Sequence, residues 1–179
     1  MAGVQQRDER KPRSQRPKRE PSEFIEKVID LARVAKVVKG GRRFSFRATV
    51  AIGDGKGKIG LGCGKSKDVI GAIQKGIIDA KRNLIKINLK GTTIPHAIMG
   101  EFKAAKVMMK PACDGTGVIA GGPVRAISEC AGITNILSKS LGTDTKINIA
   151  KAVFQGLASL RTLEEIAALR GKSIEELKY

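Results

Sequence analysis

The sequence predicts an α+β chain that opens with a small antiparallel sheet. Three observations carry this. Residues 43–52 alternate strictly, with Phe44, Phe46, Ala48, Val50 and Ile52 on one face and Arg43, Ser45, Arg47 and Thr49 on the other. Glycine-rich joints at Gly40-Gly41 and at GDGKG, 53–57, bracket that run as hairpin turns do. Helical stripes then follow short strands in the second half, where no internal repeat is visible.

The elements read in order as follows. Residues 1–21 are polar and basic, with seven cations against three acids, and predict a disordered arm that settles on a polyanion. From Ser22, Phe24, Val28 and Leu31 recur at helical spacing, with Glu23 and Glu26 in the first turn. A short Val-rich strand, 33–39, leads into the alternating run. Ile59, Leu61 and Cys63 alternate with Gly60, Gly62 and Gly64 as a third strand. Ser66 is placed to cap a helix whose stripe is Ile70, Ile73, Ile77, Ala80 and Leu84, with Lys67, Lys75, Lys81, Arg82 and Lys86 largely off it. Helix, three antiparallel strands, helix is the element order of double-stranded-RNA-binding domains.

The second unit reads less sharply. Ile85, Ile87 and Leu89 alternate, and residues 92–112 read as strand material with turns at Gly91 and Gly100. DGTG, 114–117, is a loop. Gly121-Gly122-Pro123 opens a helix that Gly132 closes, and 133–142 is a strand. Ile149, Val153, Leu157 and Leu160 mark a further helix. Thr162 with Glu165, and Ser173 with Glu176, are capping-box pairs for two short terminal helices. The expected division is an arm, 1–21; a first domain, 22–86; a second, 87–161; and a terminal segment, 162–179.

Composition narrows the function. The chain has 179 residues, 41% hydrophobic, with 34 Lys and Arg against 17 Asp and Glu, a net +17. Such an excess points to a nucleic-acid partner, less often an anionic membrane. No apolar run reaches the roughly 18 residues of a membrane span, and the N-terminus lacks the look of a secretory or transit peptide. Cys63, Cys113, Cys130 and the single His96 are too scattered for a zinc site and fit a reducing cytosol. Aromatics at 3%, with no Trp, argue against a base-stacking platform and leave recognition of folded RNA by shape and phosphate.

The glycines of GDGKGKIGLGCGKS, 53–66, invite a nucleotide reading that the context refuses. Gly55, Gly57 and Gly60 fit G-x-G-x-x-G, but a strand follows them, not a helix, and Asp79 sits inside a helix. The Gly64-Lys65-Ser66 ending needs a glycine where Ile59 stands to make a P-loop. No H-R-D or D-F-G segment accompanies it, and His96, between Pro95 and Ala97, reads as structural. The chain is therefore read as no enzyme, with no cofactor, metal or catalytic residue. Glycine lets a backbone approach another surface, and Lys and Arg neutralise phosphate. From Lys36 to Lys67 nine cations face only Asp54. The expected RNA contacts are Lys36, Lys39, Gly40, Gly41, Arg42, Arg43, Arg47, Gly53, Asp54, Gly55, Lys56, Gly57, Lys58, Lys65 and Lys67.

Residues 41–73, GRRFSFRATVAIGDGKGKIGLGCGKSKDVIGAI, closely resemble the signature segment of the small-subunit ribosomal protein S5 family in its bacterial form. RVAKVVKGG before it, PACDGTGVIAGGPVRAISECAGI at 111–133 and RGKSIEEL at 170–177 match the same family. The resemblance implies a double-stranded-RNA-binding-like domain, then a small α/β domain with a left-handed crossover. It implies a cytoplasmic, structural constituent of the small ribosomal subunit that binds its ribosomal RNA, supports assembly and influences decoding accuracy, near where messenger RNA enters. The segment around Lys36 to Arg43 resembles the family's RNA-penetrating loop, Gly53 to Lys58 a second contact turn, and Lys65 with Lys67 a phosphate contact. Asp114, Gly115, Thr116, Gly117 and Arg125 resemble the surface facing small-subunit protein four, and the terminal helices would face protein eight. Cys63 stands where the family commonly has an aromatic. The competing readings are a free RNA-binding regulator or chaperone and, more remotely, a nucleotide-dependent enzyme.

Overall fold

The computed structural model describes residues 24–174 and 176; the basic arm lies outside them. The first sheet is antiparallel throughout, in the order β1-β2-β3-β4. Its strands are β1, Ile25–Val38, β2, Gly41–Gly53, β3, Lys58–Ser66, and β4, Leu84–Lys86. Helix α1, Val69–Arg82, joins β3 to β4.

The helix expected from Ser22 is absent over the described residues, where β1 stands instead. A β-bulge accounts for the helix-like spacing. The pairing of β1 with β2 shifts between Val28 and Asp30, which leaves Ile29 as the extra residue. The bulge puts Val28 and Leu31 on one face three residues apart, which imitates a helical stripe.

Helix α1 lies on the Ala48-Val50-Ile52 face of the sheet. Its buried side is Ala72, Gly76 and Ala80, whereas Ile70 is 66% exposed and Leu84 belongs to β4. Small residues face the sheet because β3 presents glycines. A Cβ at Gly60, Gly62 or Gly64 would overlap the backbone carbonyls of Ala80, Gly76 and Ala72 respectively. Asp68, not Ser66, is the N-cap, without a side-chain bond; Ser66 still belongs to β3.

The second sheet has the order β5-β6-β8-β7. It comprises β5, Ile98–Phe102, β6, Ala105–Pro111, β7, Val118–Ile119, and β8, Ile136–Ser140. β7 and β8 are parallel, linked through α2, Gly122–Ala131; the other pairs are antiparallel. Gly100 makes no turn. It sits within β5 against the Ala152 carbonyl, and the chain reverses at Lys103-Ala104, where Lys103 has φ +54°. Helix α3, Lys146–Ala158, buries Ile149, Val153 and Leu157 as its stripe predicts. Helix α4, Leu163–Arg170, begins at a capping box: Glu165 N–H donates to Thr162 Oγ1 at 3.2 Å and Thr162 N–H to Glu165 Oε2 at 3.1 Å. Glu176 N–H donates to Ser173 Oγ at 3.4 Å, and the rest of that expected helix lies outside the described residues.

The layers run α1, first sheet, α2 with α3, second sheet. The main core lies between the sheets. It takes Ala51, Ile59 and Ile87 from the first part of the chain, Cys130 and Ile127 from α2, and Val107, Met109 and Ile136 from the second sheet. The Arg43-Ser45-Arg47-Thr49 face of β2 is therefore covered at its far end: Thr49 and Ala51 are buried.

Candidate nucleic-acid interface

The expected RNA-contact residues fall into two groups at opposite ends of β2. The first is a projecting ribbon. β3 pairs with β2 only as far as Phe46–Ser66, so β1 and β2 continue beyond it as two strands closed by Lys39-Gly40. Lys36, Lys39, Gly40, Gly41, Arg42 and Arg43 are all exposed there, and Lys65 and Lys67 are exposed at its base. In the register, Lys36 stands opposite Arg43, and Arg47 opposite Lys65, on one face. Like charges directly opposite destabilise a strand pair, each by a fraction of a kcal/mol up to about 1 kcal/mol. No ion pair relieves them among the described residues, and buried Arg47 Nε has no hydrogen-bond partner there. Asp30, the nearest acid on that face, is bound to Lys146 at 3.1 Å.

The second group is the Gly53–Lys58 turn, where the sequence reading needs correction. Asp54 Oδ1 accepts from the N–H groups of Lys56 at 2.7 Å and Lys58 at 2.9 Å. Gly55 N–H donates to the Cys130 carbonyl and Gly57 N–H to the Ala131 carbonyl, each at 3.0 Å. These bonds satisfy the free carbonyls at the C-terminus of α2. A Cβ at Gly53 would overlap the Cys130 carbonyl, and one at Gly132 the Gly55 carbonyl. The glycine N–H groups are thus spent inside the protein, and no phosphate can claim them. Lys56 and Lys58 remain exposed. Lys86, which the sequence reading did not assign, stands opposite Lys58 as a third like-charge pair. Arg33 was missed too; its guanidinium lies 3.7 Å from the Phe44 ring centre.

Asp54 is held below the ordinary aspartate value of 3.8. Burial, the largest single influence, opposes this, and the N–H bonds from Lys58 and Lys56 with the Lys58 charge together outweigh it.

The loop expected to face a partner protein is tied down from below. Buried Asn135 accepts from Gly117 N–H at 2.9 Å and donates to Thr92 Oγ1 at 3.1 Å and Asp114 Oδ1 at 3.2 Å. Thr92 Oγ1 also donates to Asp114. Asp114, Gly115 and Thr116 stay exposed. Arg125, on the first turn of α2, donates to the carbonyl of Val118, the first residue of β7 just after that loop, at 3.3 Å. Asn135 carries no sequence signal beyond being a polar residue in an apolar strand approach. His96 is structural: its Nε2 accepts from Arg161 N–H at 3.4 Å and its Nδ1 lies 3.0 Å from the Ala97 carbonyl.

Two family models match the chain. Ribosomal protein S5, N-terminal domain, matches residues 24–88, and Ribosomal protein S5, C-terminal domain, matches residues 100–170. The chain belongs to the ribosomal protein S5 family. It is thereby a component of the ribosome with a small-subunit role, in a structural, non-enzymatic family. The S5 family associates with small-subunit ribosomal RNA and ribosomal proteins.

Proposed function

We propose that the ribbon and the Lys56–Lys58 turn are two separate contacts with small-subunit ribosomal RNA. The observation that carries this is two like-charge cross-strand pairs on one face of β2, Lys36/Arg43 on the ribbon that projects beyond the sheet and Arg47/Lys65 at its base. A cost paid inside the protein with no internal gain fits an external polyanion. At about 3.3 Å per residue, the two contacts at the ends of 13-residue β2 lie roughly 40 Å apart. That is several times the ~8 Å screening length, so they bind phosphate independently. Through them the chain supports subunit assembly and, near where messenger RNA enters, influences decoding accuracy. The Asp114–Gly117 loop with Arg125 faces small-subunit protein four, and the terminal helices face protein eight.

The test is a Lys39→Ala, Arg42→Ala, Arg43→Ala triple variant titrated with small-subunit RNA at several salt concentrations. Weaker binding and a salt slope lower by about two to three are expected. An unchanged slope would remove the ribbon from the interface. Substitutions at Gly117 or Arg125 should change misreading in a translation assay more than RNA affinity. A loss of RNA affinity alone would overturn the partner-surface reading. Sedimentation completes the test: a chain that stays at the top of a sucrose gradient, away from small subunits, would be a free RNA-binding regulator instead.

A further inference from the structure

The face of the ribbon opposite the like-charge pairs carries a different arrangement. Arg33, Ala35 and Val37 of β1 stand across from Phe46, Phe44 and Arg42 of β2. Arg33 stacks on Phe44 from the diagonal position, 3.7 Å from the ring centre. Phe44 is 47% exposed and Val37 73% exposed, because β3 stops pairing at Phe46 and leaves this part of the ribbon uncovered. Among the described residues no other cation or ring stacks on Phe44. A phenyl ring left in water at the end of a bare ribbon gains little from the fold. It is braced by one guanidinium, with a second, Arg42, two residues along the same face.

We propose that Phe44, braced by Arg33 and flanked by Arg42, is a stacking platform for one unpaired nucleobase. This rests on the RNA reading above and specifies its ligand: a bulged or junction nucleotide, not a continuous duplex. The occupant follows from charge. Arg33 and Arg42 share the face of the ring, Lys36 and Arg43 stand on the other face of the same ribbon, and no acid lies between residues 33 and 47. A protein partner's aromatic side chain would bring a π-face but no anion for these cations; a nucleotide brings a π-face and a phosphate together. A two-stranded ribbon with cations on both faces also fits between RNA segments, where a base is free to leave its stack. The low aromatic content, read at first as arguing against stacking, excludes an extended platform but not a single site.

The chain has no Trp, so Phe44→Trp supplies a lone reporter at the site. Two RNA hairpins serve as probes, identical except that one carries a single 2-aminopurine bulge. Unaltered protein is expected to prefer the bulged hairpin by about tenfold. Phe44→Leu should lose that preference while keeping its melting temperature, its affinity for the paired hairpin and its salt slope. Phe44→Trp should keep the preference, with Trp emission quenched by the bulged hairpin alone. A preference that survives Phe44→Leu, or emission that responds equally to both hairpins, would overturn the platform and leave Phe44 as a brace of the ribbon or a protein contact. The RNA reading fails separately, if neither hairpin binds or if the triple ribbon variant binds both as tightly as the unaltered chain.

Discussion

Asp54 shows how much one side chain organises at the turn between β2 and β3. Its carboxylate takes two backbone N–H groups, and its own N–H donates to the Lys58 carbonyl at 3.2 Å. The turn so formed holds Gly55 and Gly57 in line with the end of α2. Asp54 is the lone acid among nine cations from Lys36 to Lys67, and a reading by charge alone makes it an anomaly within an RNA site. Its partners are backbone groups, which composition does not reveal. Because its folded value lies below 3.8, its stabilisation is fully present above the unfolded value and is lost as pH falls through the folded one. Asp54→Asn is therefore expected to be less stable at neutral pH and to lose less stability than the unaltered chain between about pH 5 and pH 2. Urea midpoints measured across that range check this; parallel curves would mean that Asp54 has no such role.

Between β3 and α1 the fit is one of repeat lengths. Two strand residues advance about 6.7 Å, and four helix residues about 6 Å. Gly60, Gly62 and Gly64 therefore keep step with Ala80, Gly76 and Ala72 along the interface, running in opposite directions. Gly62→Ala puts a methyl group into the α1 backbone at two successive turns, the Gly76 carbonyl and Ala80, neither of which can yield separately. It should cost about 3 kcal/mol or more, while Lys65→Ala next to that face should stay within about 0.5 kcal/mol. Denaturant unfolding of the two variants makes the comparison. Both halves of the glycine pattern were written in the sequence, but its alternation only says that some surface comes close. That the surface is α1, not RNA, depends on pairing a period of two with a period of four across a contact. The elements with a clean period, β2, β3, α3 and the α4 capping box, were legible for the same reason that β1 was not. One bulge at Ile29 resets the alternation, and pattern reading assigns the result to a helix. At the site, the cations of the ribbon were legible from charge. Arg33 and Lys86 were not, because only the register sets them beside Phe44 and Lys58.

The whole molecule is joined through Cys130. Its thiol is buried where α2 meets the first sheet, with Sγ 3.7 Å from the Ile25 carbonyl and 3.8 Å from the Ala51 carbonyl. Around it the main core takes residues from both sheets, and Lys27 of β1 pairs with Glu129 of α2 at its rim. The two family segments therefore share one interior, and removing either would strip apolar cover from Ala51 and Ile59 or from Ile127 and Cys130. Such an arrangement should unfold as one cooperative unit. The cysteines report on this directly. Cys63 and Cys113 are exposed, whereas burial raises the Cys130 thiol to about 11 against the opposing pull of Lys27, so it stays protonated as well as hidden. A thiol reagent at neutral pH should label two cysteines at once. The third should follow only at the rate of global unfolding, in step with loss of the β-sheet signal as urea is raised. If Cys130 were labelled at urea concentrations that leave the sheet signal intact, the halves would part before they unfold. The turn at Gly55 and Gly57 would then lose its hold on α2 in a folded protein. Coincident curves would mean that a load on the ribbon end of β2 reaches the Arg125 loop through a body that does not come apart.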